Sequence, residues 1–173
     1  MPIPPESPYP GSSNGYIGSS LLEGRTSIDQ RPEPIETLSV VTLAVENQAE
    51  ALEWYRETLG FEVRADAPFE ANGGTGRWLT VSPPGNAEVE IALVEPDAGL
   101  YDPTTLARIE EMRGSDPMWT FTTSDLDAAI EDLRGKGVEV DDEIRDTPWG
   151  RFGTLRDPDG NALQLYEPAD PSD

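Results

Sequence analysis

The chain of 173 residues carries 34 acidic residues against 12 basic ones, a formal net charge of -22, and has neither cysteine nor histidine. Those absences exclude disulfides, thiolate and imidazole catalysis, Ser-His-Asp triads and metals held by Cys or His. The acidic excess disfavours nucleic acid and anionic membrane surfaces as partners. No apolar run approaches the ~18 residues needed to span a bilayer. The N-terminus shows no basic start, apolar core or twin arginine, so the protein is expected to stay in the cytoplasm.

Residues 1–36 are rich in Pro, Gly and Ser and show no hydrophobic period. They bury too little apolar surface to offset ordering entropy and read as a flexible extension. A domain is expected over 37–168, with unit one at 38–96, a linker at 97–116, unit two at 117–168 and a short tail at 169–173.

Unit one opens with a β-like stretch from Ser39 to Val45, followed by a helix from about Gln48 to Leu59 that Gly60 stops. Strands are expected at Phe61–Ala65, Arg77–Ser82 and Glu88–Val94. In the linker, Thr104–Met112 has the pattern of a short helix. Unit two repeats the order: a strand at Met118–Thr123, a helix from Asp125 to about Arg134, and strands at Val138–Val140, Arg151–Leu155 and Ala162–Tyr166. The repeat shows in residues as well. Gly76-Arg-Trp-Leu-Thr80, Pro84-Gly-Asn86 and Glu95-Pro96 recur as Gly150-Arg-Phe-Gly-Thr154, Asp159-Gly-Asn161 and Glu167-Pro168. Tandem βαβββ units predict an α+β domain. Each unit would give a curved four-stranded sheet with its helix outside and an inner face free to hold a ligand.

Five stretches carry a family resemblance: Val41-Thr-Leu-Ala-Val45, Ala51-Leu-Glu-Trp-Tyr55, Leu59-Gly-Phe-Glu-Val63, Asp125-Leu-Asp127 and the closing run Asp157-Pro-Asp-Gly-Asn161-Ala-Leu-Gln-Leu165. With them the chain resembles the vicinal oxygen chelate superfamily of glyoxalases, bleomycin-resistance proteins and dioxygenases over nearly all of 38–168. The resemblance implies a metal site drawing one His, Glu or Gln from the first and last strand of each unit. By position these places fall on Val40, on Glu90 or Ala92, on Met118 and on Gln164. Val40 and Met118 cannot ligate, so the reading is no metal cofactor, with a weakly held divalent ion as the alternative. The resemblance also implies a homodimer. The scarcity of lysine (Lys136 alone) beside acid spread along the chain resembles proteins of salt-loving cytoplasms. There a Debye length of about 3 Å screens self-repulsion.

Strand alternation places Val41, Leu43, Val45, Trp119, Phe121, Leu163 and Leu165 beneath the helices. Val40, Thr42, Ala44, Glu90, Ala92, Met118, Thr120, Thr122, Gln164 and Tyr166 should then line the cup. Trp78 and Trp149 are candidates for stacking at its wall or rim, with plain core packing as the alternative. Glu90 stands out, because desolvation favours the neutral form of a carboxyl group and suits it to act as a general base or as counter-ion to a cationic ligand. The alternative is a solvent-facing glutamate. Tyr166 is a candidate proton donor. Arg77 and Arg151, at repeated positions, either clamp an anion or form ion pairs. Two functions lead, ahead of a ligand-sensing or dimerisation module for which no DNA-binding partner domain is seen. One is a metal-free protein that binds a small organic molecule without chemistry. The other is a glyoxalase-like lyase or isomerase using Glu90 with Gln164, while extradiol dioxygenase chemistry is excluded for want of imidazoles.

Overall fold

The computed structural model describes residues 37–71, 73–86 and 88–169, so the extension expected at 1–36 and most of the expected tail lie outside the described residues. Two units appear in the expected order, βαβββ in the first and with one additional short strand in the second. Unit one comprises β1 (Val40–Ala44), α1 (Gln48–Glu57), β2 (Glu62–Ala71), β3 (Gly74–Ser82) and β4 (Glu90–Val94). The linker folds into α2 (Pro103–Met112). Unit two comprises β5 (Thr120–Thr122), α3 (Leu126–Gly135), β6 (Glu139–Val140), β7 (Arg145–Thr147), β8 (Gly150–Arg156) and β9 (Ala162–Pro168). Each helix starts on an acceptor side chain that meets free N–H groups of the first turn. Asn47 accepts from Ala49 and Glu50, Asp102 from Thr104 and Thr105, and Asp125 from Ala128. At the end of α1, Gly60 takes φ 70° and lets the Phe61 N–H return to the Tyr55 carbonyl, the turn a Cβ would resist.

Sheet one has the order β1-β4-β3-β2, and sheet two runs β5-β9-β8-β6 with β7 also paired to β8. In both, the first and last strands of the unit pair in parallel. Two differences from expectation shape the inner faces. The β2–β3 hairpin is longer than the sequence suggests, continuing in register out to Ala71 and Gly74. β5 is shorter, and Met118 lies before it. The Met118 N–H turns back onto the Asp116 carboxylate, which holds Met118 at φ 55° and keeps it out of the ladder. A third difference is β7, a strand that no local pattern announced.

One core joins the units through their helix-facing sides. Leu43, Val45, Leu79, Val81, Ile91 and Leu93 of sheet one share it with Leu155 and Leu163, and Trp119, Phe121 and Leu165 pack against it. A buried polar junction locks the arrangement. Tyr55 donates to Asp157 Oδ2 at 2.8 Å, and Asn161 Nδ2 donates to the same oxygen at 2.8 Å and to the Ala44 carbonyl at 3.0 Å. The Asp-Pro-Asp-Gly-Asn turn is therefore more than a reversal between strands. It clamps unit two onto the helix and first strand of unit one. No helix among the described residues is long and apolar enough to cross a membrane.

Candidate functional site

The inner face of sheet one carries Val40, Thr42 and Ala44 from β1, Trp78, Thr80 and Ser82 from β3, and Glu90, Ala92 and Val94 from β4. Contrary to expectation, this face is not free. Ile109 of α2 and Tyr101 pack onto Ala44, Ala92, Val94 and Trp78, because the linker helix returns across the strand ends it has just left. Glu90 is buried, and Thr80 donates to its Oε2 at 2.7 Å, so it does not point to solvent like its neighbour Glu88. Among the described residues, the buried Ser82 hydroxyl and Trp78 indole N–H find no hydrogen-bond partner.

Register settles which residues are equivalent in the two units. Thr80 pairs with Ala92, which pairs with Thr42; Thr154 pairs with Gln164, which pairs with Thr120. Ala92, not Glu90, is therefore the counterpart of Gln164, and Val40 that of Met118. Of the four places a family metal would use, Val40, Ala92, Met118 and Gln164, only Gln164 offers an oxygen donor. This donor set does not fit a metal ion. Among the described residues no group of three or more Asp or Glu is placed to substitute for it.

The inner face of sheet two differs. Thr120 and Thr122 are exposed, and Gln164, Tyr166, Phe152 and Thr154 are half-buried. Phe152 and Tyr166 stack with centroids 4.7 Å apart and planes at 24°, and the Arg145 guanidinium lies 5.7 Å from the Phe152 ring centre. Thr120 Oγ1 donates to Gln164 Oε1 at 3.2 Å, which turns the amide N–H₂ toward other acceptors. Tyr166 donates to the Trp149 carbonyl at 2.7 Å, which occupies its proton. Trp149 and Met118 project at the rim, 62% and 68% exposed.

Sequence reasoning placed Thr120, Gln164, Tyr166 and Trp149 here but missed Phe152, Thr154 and Arg145. The repeat held the signal for Phe152, which occupies the place of Trp78. Arg145 had none, since β7 itself was unforeseen. Of the expected acid–base residues, Glu90 sits on sheet one while Tyr166 and Gln164 sit on sheet two. One chain does not bring them onto a common face.

The repeated arginines form ion pairs. Arg77 holds Asp66 through two contacts of 2.8 Å, and Arg151 holds Asp127 at 2.8 and 2.9 Å with Glu167 at 3.2 Å. Hydrogen bonds from these guanidinium groups keep the carboxyls of Asp66 and Asp127 below the usual range.

The family model of the Glyoxalase/Bleomycin resistance protein/Dioxygenase superfamily matches residues 37–165. The chain is 30% identical over 133 residues to the uncharacterized protein YetH of Bacillus subtilis (strain 168), covering 77% of this chain and 99% of that one. Among solved structures it is similar to TnmS3, an antibiotic binding protein from Streptomyces sp. CB03234. That match has 32% identity and a TM-score of 0.62, over 80% of this chain and 100% of that one. A superfamily member from Sphaerobacter thermophilus DSM 20745 matches at 31% identity and a TM-score of 0.61, over 77% of this chain and 98% of that one.

Proposed function

The chain belongs to the glyoxalase/bleomycin resistance protein/dioxygenase superfamily, and on that premise we propose that it binds a small organic molecule, without a metal and without chemistry. The observation that carries this reading is the inner face of sheet two, which is exposed or half-exposed among the described residues. There, a stacked Phe152–Tyr166 pair offers an apolar platform, and the Gln164 amide and Thr154 hydroxyl stand beside it to orient a ligand. A similar structure, TnmS3, is described as antibiotic binding, which agrees with this use of the fold.

An open sheet face is half a cup. We propose that a second copy of the chain supplies the other half, making a homodimer, since the linker helix and the shared core prevent sheet one of the same chain from doing so. The lyase reading needs Glu90 free to act beside Gln164, and its burial on sheet one, where it accepts from Thr80, counts against it. The chain is further proposed to work in a salt-rich cytoplasm, which its acidic surface suits.

Equilibrium dialysis against a panel of aromatic antibiotics, with and without chelator, tests the function. Stoichiometric binding that ignores chelator, leaves the compound unchanged and weakens about tenfold in Phe152→Ala is expected. Turnover of a bound compound, or binding that requires a divalent ion, would sink the proposal. Light scattering at dialysis concentrations tests the dimer, and a monomer that binds at full strength would refute it.

A further inference from the structure

Unit one holds a cavity of about 320 Å³ that is complete within one chain and lies apart from the open face of sheet two. It exists because β3 and β4 part company. Their ladder is confined to Thr80–Ala92 and Val81–Ile91. Beyond these pairs the Arg77 and Leu93 carbonyls lose their partners across the strands, and Gln48 Nε2 donates to both, at 3.1 and 2.7 Å. Buried backbone acceptors left unpaired would favour closure of the gap. The Gln48 bridge meets them with the strands apart, so the slot is a built feature and not a packing fault. In unit two, β8 and β9 pair continuously from Gly150–Pro168 to Arg156–Ala162, and no such gap opens.

The walls are aromatic and come from three segments: Phe69 on β2, Trp78 on β3 and Tyr101 in the turn that precedes α2. Leu100 closes the hairpin side. A Cβ on Gly76 would come within 2.6 Å of both Leu100 and Phe69, so the glycine is what lets this wall form. At the mouth stand two exposed carboxylates, Glu95 and Asp97. Each is engaged through a single oxygen, Glu95 by the Gln48 N–H at 2.9 Å and Asp97 by the Gly99 N–H at 2.6 Å. The cation in the lining, Arg77, is paired with Asp66 and also lies within the field of Glu95, which leaves Asp97 as the mouth carboxylate with no cation acting on it in the lining. Burial and the charge of Asp97 raise the Tyr101 phenol above its ordinary value, which keeps that wall neutral.

We infer that this slot is a binding site for a flat aromatic cation of about two fused rings. The volume lies at the small end of organic-ligand pockets, roughly 300–1,000 Å³. Three aromatic side chains in the lining favour a delocalised cation over a neutral ring of the same shape. The two mouth carboxylates add attraction for positive charge, and they repel aromatic acids.

Calorimetric titration with 4-aminoquinoline, a cation at neutral pH, and with quinoline, which is neutral there, tests the inference. The cation is expected to bind about tenfold more tightly than its neutral analogue. In the Glu95→Gln/Asp97→Asn double variant the amide oxygens still accept from Gln48 and Gly99, and the preference should fall to within about twofold. Tyr101→Leu should weaken both ligands. The preference is a ratio within each variant, so a partly unfolded sample lowers both affinities and leaves the ratio intact. Equal binding by the wild type, no binding of either probe, or a preference that survives the double variant would each overturn the inference. Loss of 4-aminoquinoline binding in Phe152→Ala would place the probe on sheet two. It would overturn the inference while leaving the proposed function standing.

Discussion

The two units share a sequence pattern and a fold, yet their inner faces end in opposite states. In unit one, Thr80, Glu90 and Ala92 are buried, and Ile109 of α2 lies over the strand ends. In unit two the equivalent surface around Thr120, Gln164 and Tyr166 is exposed or half-exposed. The strands do not explain this, since Thr80, Ala92 and Thr42 pair in the same order as Thr154, Gln164 and Thr120. The difference lies downstream of them. Unit one is continued by a linker that folds back as a helix over its sheet, whereas no described helix lies over the inner face of sheet two. A repeat therefore predicts which residues face inward but not whether that face is covered. In this chain the division leaves one unit with a closed slot and the other with an open platform.

The most drastic way to break the contrast is to unlock the units. Asn161 is fully buried and serves the Ala44 carbonyl, the Asp157 carboxylate and the Gly114 N–H. In Asn161→Ala the Ala44 carbonyl and the Gly114 N–H are stranded, while Asp157 keeps the Tyr55 hydroxyl but loses the amide beside it. At about 1–3 kcal/mol for each stranded group, a loss of more than about 3 kcal/mol is expected, read from the denaturant midpoint. A loss below about 1 kcal/mol would show that the shared apolar core alone holds the units in place.

A smaller effect is expected from lifting the lid. Ile109→Ala removes the α2 side chain that covers Ala44, Ala92 and Val94 and should cost about 2–3 kcal/mol. Hydrogen exchange should quicken in β1 and β4 and stay unchanged in β5 and β9. Equal quickening in both sheets would mean that α2 stabilises the domain generally and is not what distinguishes the faces. Smaller again is the stability cost of Phe152→Ala on the open face. The ring is half-exposed, and its stack with Tyr166 contributes about 0.5–1.5 kcal/mol, so binding should suffer far more than folding. A large loss of stability would mark Phe152 as core and undercut the platform.

Much of this was legible in the sequence, for physical reasons that also mark the limit. Period-two alternation put Leu43, Val45, Trp119 and Leu163 beneath the helices, and Gly60 marked the end of α1 as Asp125 marked the start of α3 to within one residue. Those signals are local. Met118 falls outside the strand expected for it because a side chain two residues back, Asp116, captured its N–H, a competition that propensity does not reveal. Register between strands is a long-range property too, which is why Glu90 and Ala92 could be told apart only through the ladder to Thr80. The cover over sheet one depended on where α2 lands, which its own amphipathic pattern does not state.

The subtlest test uses pH to probe the junction between the units. Burial, then the charge of Asp157 and the hydrogen bond to it, raise the Tyr55 phenol well above its ordinary 10.0. In the unfolded chain Tyr55 ionises near that ordinary value, while in the folded protein it keeps its proton. Above about pH 10 the unfolded state therefore binds fewer protons than the folded one, and stability falls as pH rises until the folded pKa is passed. Wild-type midpoints measured from about pH 9 to 11 should decline, and Tyr55→Phe should decline less steeply, with Tyr101 contributing the remaining slope. At neutral pH the same variant should lose only about 1 kcal/mol, because Asn161 still donates to Asp157 Oδ2. Identical slopes in the two proteins would mean that the phenol is free to ionise in place. The bond from Tyr55 to Asp157 would then not be what fastens the lidded unit to the open one.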